Sequence, residues 1–182
     1  MTHGCLLLEQ LTCGCRFVSR YNNPLRGQKG KVWEGGIRAP GVVWAPGHLP
    51  AGRVGGSYDG LIHISDWLPT FLRLAGRTRS DSCNERKPLD GVDVWEQLVG
   101  DQPSSRTEIL HAYQPDNGDR ALRVGDYKLL LNQQDRGADR WLSPTGTTSI
   151  PAATGSSLLF NVADDPNETV NLWDTATDVR DS

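Results

Sequence analysis

Residues 121–131 read Ala-Leu-Arg-Val-Gly-Asp-Tyr-Lys-Leu-Leu-Leu. Two apolar-rich runs flank a two-residue turn that begins with glycine, the clearest hairpin signal in the chain. A hairpin leaves unpaired N–H and C=O groups along its outer edges, so it demands neighbours. Ile109-Leu110-His111-Ala112 before it and Leu158-Leu159-Phe160-Asn161 after it both read as strands. Asp164-Asp165-Pro166 turns the last strand, and Val170, Leu172 and Trp173 are expected to pack the tail back down. Residues 108–182 are therefore expected to form a small antiparallel subdomain.

The first half has a different rhythm. Pro40-Gly41-Val42-Val43-Trp44-Ala45-Pro46 is a short apolar run between prolines, expected to be a buried central strand. Ser65-Asp66 offers an N-cap, and Trp67, Leu68, Phe71, Leu72, Leu74 and Ala75 follow at helical period. Pro69 falls in the first turn, where its missing N–H is tolerated, and Gly76 is a natural stop. A short helix is expected near Val94–Val99 after the turn at Pro88–Asp93. Strand, helix, short helix and then antiparallel strands is the order of an α/β layer finishing before a small sheet subdomain. The expected division is 1–20 without a pattern, 21–107 as the end of an α/β domain, and 108–182 as the subdomain and tail.

Composition narrows the partners. The formal charge of −3 gives no general attraction to nucleic acid or to an anionic membrane surface. No apolar run approaches the roughly 20 residues of a membrane span. Leu6-Leu7-Leu8 is too short for the apolar core of a signal peptide, and no basic segment precedes it. Cys5, Cys13, Cys15 and Cys83 form no disulfide framework, and no second Cys/His pair sits at zinc spacing beside Cys13-Gly14-Cys15. They are read as free thiols. Nothing in the sequence speaks to oligomeric state.

The stretch that carries chemistry runs from Pro24 to Pro40. Gly27, Gly30, Gly35 and Gly36 allow positive φ or close backbone approach, and Arg26, Lys29, Lys31 and Arg38 surround them. A lysine ammonium is a compact charge with three donors, suited to a tetrahedral oxyanion. In an active site it would offset charge growing on a leaving oxygen. If the loop is extended, Lys29 and Lys31 face the same way, and spacing alone does not choose between them.

Lys29-Gly30-Lys31-Val32-Trp33-Glu34-Gly35-Gly36-Ile37-Arg38-Ala39-Pro40 resembles the K-G-x-x-[YW]-E-G-G-x-R-x-P segment of type I sulfatases. Pro24-Leu25-Arg26-Gly27, the segment from Leu61 to Thr70 and the segment from Lys87 to Trp95 resemble the arylsulfatase B subgroup. Ala121–Leu129 and Leu159–Pro166 resemble the family's C-terminal hairpin and closing strand. These motifs stand in order from about residue 22 to residue 173. The resemblance implies an α/β fold, the C-terminal part of an alkaline-phosphatase-like sulfatase fold with a small antiparallel sheet subdomain. It implies hydrolysis of sulfate esters, on small molecules or on sulfated glycans, in a lysosomal or secreted protein.

The resemblance also assigns a residue. The family's sulfate-contacting lysine maps onto Lys29, five residues before Glu34. Glu34 and Arg38 are read as structural, an ion pair fixing the loop. Catalysis in the family implies a formylglycine made from the cysteine of C-x-P-S-R and a calcium ion held by Asp and Asn. No proline stands two places after any of the four cysteines, and the paired N-terminal aspartates have no counterpart. The chain is therefore expected to be inactive alone, without metal ligands or a modifiable cysteine. Residues 1–20 match no motif, which favours a chain cut from a longer one.

Three further features are read conservatively. Asp116-Asn117-Gly118 resembles the family's calcium triplet but stands after the lysine segment, so it is read as a turn. His63 and His111 are read as hydrogen-bonded structural histidines. Asn167-Glu168-Thr169 is a glycosylation sequon in a polar turn, plausible if the protein enters the secretory pathway. The alternative function is a non-catalytic sulfatase-like protein that binds sulfated glycans through Arg26, Lys29 and Lys31.

Overall fold

The computed structural model describes residues 5–7, 22, 24–77, 89–113, 120–132 and 157–181. The chain divides into two compact units, Met1–Glu9 with Pro40–Thr107, and Gln10–Ala39 with Glu108–Ser182.

In the first unit, β1 (Cys5–Leu7) pairs antiparallel with β2 (Val42–Trp44). The run between Pro40 and Pro46 does form a strand, but it is short and its outer side chains are open, with Val42 57% and Trp44 59% exposed. The expected burial on both faces is not met within this chain. A 3-10 turn (Ile64–Asp66) leads into α2 (Trp67–Leu74), and α3 (Trp95–Gly100) follows. α2 ends as its sequence requires. Gly76 takes φ +69°, its N–H donates to the Arg73 carbonyl, and the Arg77 N–H donates to the Leu72 carbonyl. That pairing is a Schellman stop, which needs a left-handed residue at this point.

The N-terminal cap of α2 differs from expectation. The Asp66 side chain does not cap the helix. Its carboxylate is fully buried and accepts from the backbone N–H groups of His63 (2.7 Å) and Val92 (2.9 Å) and from the Arg106 guanidinium (2.8 Å). Burial alone would raise this carboxyl. Arg106, Val92 and His63 outweigh burial and hold it below the ordinary aspartate range. Thr70 continues the clamp, donating to the Asp66 carbonyl and accepting from the Val94 N–H. Val94 and Leu98 form the buried apolar centre, with Trp67, Ile62 and Val43 packed against it. The other side of α2 stays open, with Leu68, Phe71 and Leu74 exposed.

The second unit carries an antiparallel sheet, expected from the strands of residues 108–182 and ordered β3-β4-β5-β6. Its strands are β3 (Glu108–Tyr113), β4 (Arg120–Val124), β5 (Tyr127–Leu131) and β6 (Ser157–Asn161). β4 and β5 pair from Arg120↔Leu131 to Val124↔Tyr127, which leaves Gly125-Asp126 as a two-residue turn. Gly125 takes φ +54° at the first central position, where a type II′ turn places glycine. A bulge between Leu110 and Ala112 interrupts the β3–β4 register. β6 is a sheet edge, and the tail shields it: the Leu159 N–H donates to Asn171 Oδ1, and the Leu159 carbonyl accepts from the Leu172 N–H. Leu172 and Trp173 are half-buried as expected, whereas Val170 is 57% exposed. A helical turn, α4 (Thr177–Arg180), closes the described chain.

The core of this unit is Trp33, Ala121, Leu130, Leu158, Phe160 and Val162. Trp33 comes from the glycine-rich stretch, so that stretch belongs to the sheet's own core. It includes one helical turn, α1 (Glu34–Ile37).

Candidate functional site: the lysine loop and its buried footing

The loop is built by division of labour among its glycines. Gly27 and Gly30 take φ of +81° and +84°, left-handed values that glycine adopts without a Cβ penalty. Gly35 and Gly36 serve close approach. A Cβ on Gly35 would lie 2.5 Å from the Arg26 carbonyl oxygen, and one on Gly36 would collide with the carbonyls of Lys31 and Gln28.

The loop is not extended at the two lysines. The Lys31 N–H donates to the Gln28 carbonyl at 3.0 Å, closing a four-residue turn with Gly30 at its third position. A type II turn requires positive φ there. Alternation therefore does not apply, because Gly30 reverses the chain between the two side chains. Lys29 is exposed at this turn, while Lys31 is half-buried and engaged with a partner. Arg26 is 1% exposed, and its guanidinium lies 4.0 Å over the Trp33 ring. Desolvated, a stack of this kind contributes about 2 kcal/mol. Arg26 is thus part of the footing, turned away from any surface ligand.

Beneath the turn lies a buried charge cluster. Lys128 Nζ donates to Glu34 Oε1 at 3.0 Å and to Glu168 Oε1 at 2.7 Å. All three side chains are at most 2% exposed. The Glu34 N–H donates to Glu168 Oε2 at 2.6 Å, and Arg26 Nη1 donates to the Glu168 carbonyl at 3.1 Å. Each buried charged group here has a hydrogen-bonded partner, as burial demands. Burial pushes the Glu168 carboxyl up to about 7, with Lys128 and the Glu34 N–H pulling the other way. Glu168 itself takes φ +54°, a left-handed conformation uncommon for a residue with a Cβ. The cluster holds it there.

This arrangement corrects the expected partner of Glu34. Its carboxylate pairs with Lys128 of β5, and its link to Arg38 is through the backbone, the Arg38 N–H donating to the Glu34 carbonyl at 2.7 Å. Arg38 is exposed. Lys128 and Glu168 were not singled out from sequence. Lys128 carried a signal: it stands two residues from Leu130, so strand alternation turns both inward. Glu168 carried none, lying in a turn.

His63 Nδ1 lies 2.8 Å from Ser65 Oγ, a local structural bond as expected. His111 sits on β3, half-buried and with a partner. Asp116-Asn117-Gly118, Cys13, Cys15 and Cys83 lie outside the described residues. Asn167 of the sequon is half-buried, and the Thr169 hydroxyl donates to Asp165 Oδ1. Among the described residues, no group of three or more His, Cys, Asp or Glu side chains is placed to hold a metal ion. These described residues do not fit a calcium site.

The sulfatase family model, described as Sulfatase, matches residues 6–77. That match begins inside the segment whose sequence shows no motif. Arylsulfatase J of Mus musculus is 36% identical over 180 residues, covering 83% of this chain and 29% of that protein. Arylsulfatase A of Bos taurus is 34% identical over 160 residues, covering 85% and 30%. A crystal structure of the PsFucS1 sulfatase from Pseudoalteromonas sp. matches at TM-score 0.59 and 25% identity, covering 86% of this chain and 31% of that one. The chain belongs to the sulfatase family, and its fold is the α/β sulfatase fold with a small antiparallel sheet. It spans about three-tenths of the length of the relatives it matches.

Proposed function

We propose that this chain supplies the sulfate-binding lysine of a sulfuric ester hydrolase, and that Lys29 is that residue. The observation that carries the reading is the exposed Lys29 on a glycine-formed turn whose base is buried and hydrogen-bonded. A cation on such a fixed base meets an anion without first being ordered, and preorganised charge of this kind stabilises developing negative charge. Lys29 would bind a sulfate oxygen and steady the ester as charge moves to the leaving oxygen. Lys31, already engaged, is the weaker candidate.

The nucleophile is a formylglycine and the metal is calcium, as the family resemblance implies. Neither is assigned to a residue of this chain, since none of its cysteines is followed by proline two places on. The chain alone therefore does not turn over sulfate esters. The substrate class is a sulfated small molecule or glycan. The resemblance also supports a lysosomal or secreted protein, and in that pathway the Asn167-Glu168-Thr169 sequon would be a glycosylation acceptor.

The test is a graft of residues 22–182, in register, into an active arylsulfatase. Lys29→Ala is expected to lower turnover of a chromogenic aryl sulfate by about 10²–10³-fold, the size of one lost charge-stabilising donor. Lys31→Ala should stay within a few-fold. Equal losses would overturn the assignment.

A further inference from the structure

Cross-strand pairing places Ile109, Arg123, Lys128 and Phe160 in one row across the sheet. The adjoining row, Ala112, Ala121, Leu130 and Leu158, is apolar and lies in the core. Two cations thus stand directly opposite each other on a core-facing surface, where like charges are mutually destabilising. Lys128 is fully buried there, and a buried ammonium without partners is very costly. Its partners come from outside the sheet. Glu34 belongs to the lysine loop and Glu168 to the tail, 134 residues apart in sequence. Their meeting at Lys128 ties α1 to the sheet, beside the anchor that Trp33 makes in the sheet's core.

We propose that Lys128 is a positioning residue for Lys29: by drawing Glu34 and Glu168 together it fixes the Arg26–Arg38 backbone that presents the exposed lysine. The proposal rests on the reading of Lys29 given above. Glu168 is the titrating member of the latch. The charged groups that face it are Lys128 from β5, Glu34 from α1 and Arg26 from the loop. Beyond them, Arg123 of β4 feels the charges of Glu34, Arg38 and Asp126. On its own turn, Asp165 accepts from the N–H groups of Thr169 and Val170. When the loop lifts, Glu168 meets water and returns to ordinary carboxyl behaviour. Closing therefore takes up a proton, and the latch is tightest in acid.

Amide exchange on the isotope-labelled full chain tests this. The reporters are the bonded N–H groups of Gly35, Gly36 and Arg38, and the reference amides lie in β4 and β5. After correction for intrinsic rates, loop protection is expected to fall about tenfold or more from about pH 5 to about pH 8 while the strands change little. Glu168→Gln should abolish that dependence. Lys128→Met should speed loop exchange at every pH. Unchanged loop exchange in Lys128→Met, or a wild-type pH profile in Glu168→Gln, overturns the proposal. If Lys128→Met does not fold, the Glu168→Gln profile decides. In parallel, inorganic sulfate is titrated while the backbone amide resonances of Gly27 and Gly30, present in every variant, are followed. Lys29→Ala should remove binding and Lys128→Met should weaken it. Binding retained in Lys29→Ala overturns the reading of Lys29 alone, because loop exchange is measured without sulfate.

Discussion

At the scale of single residues, the molecule depends on a few buried charges. Glu168 has the clearest consequence for stability. Its carboxyl is raised from an ordinary 4.5 to about 7 by burial, so the folded chain holds a proton that the unfolded chain has released across that window. Stability must then fall as pH rises from about 4.5 to about 7 and level off above it. Denaturant unfolding of wild type and Glu168→Gln across this range checks the sign, with the variant expected to lose this component. Asp66 has the opposite sense. Its carboxyl is lowered, so its contribution is full above the ordinary aspartate value and fades as pH falls through the depressed one. Asp66→Ala removes the carboxylate partner of Arg106 and leaves two backbone N–H groups unsatisfied, and about 3–5 kcal/mol of stability in the first unit is expected to go with it. Neither role could be read from composition. An aspartate ahead of a helix looks like a cap, and only the arrival of Arg106 and Val92 makes it a clamp.

Elements were more legible than their burial. The hairpin announced itself through Gly125 and two apolar runs, and its register follows. Gly125→Ala is expected to destabilise the sheet by about 1 kcal/mol, read as a shift in the unfolding midpoint, because alanine resists the left-handed turn. α2 was legible for the same kind of reason: local periodicity and a glycine stop act within a few residues. What periodicity cannot say is whether an apolar face meets a partner. Leu68, Phe71 and Leu74 follow helical spacing and remain exposed in this chain, as do Val42 and Trp44 on β2. The lysine loop failed in another way. The spacing of Lys29 and Lys31 suggested alternation, but Gly30 turns the backbone between them. Glycine makes a position permissive, and sequence alone does not say which of its conformations is used.

At the scale of the whole molecule, the open apolar side chains predict behaviour in solution. Phe71, Leu68 and Leu74 lie along one helix and add an exposed apolar strip of the kind that drives self-association. Phe71→Asn is expected to raise the soluble fraction of the isolated chain without lowering its unfolding midpoint, as measured by light scattering and thermal melts. The family could be recognised because its motifs are local. The charge cluster could not, because it joins residues 34, 128 and 168, and no short window contains them. That distance has a genetic corollary. A premature stop between codons 162 and 167 would spare all four strands of the sheet and every residue of the lysine loop, yet delete Glu168. Such an allele would leave Lys29 encoded but its footing incomplete. Its phenotype should resemble a missense change at Lys128 more than the loss of a dispensable tail.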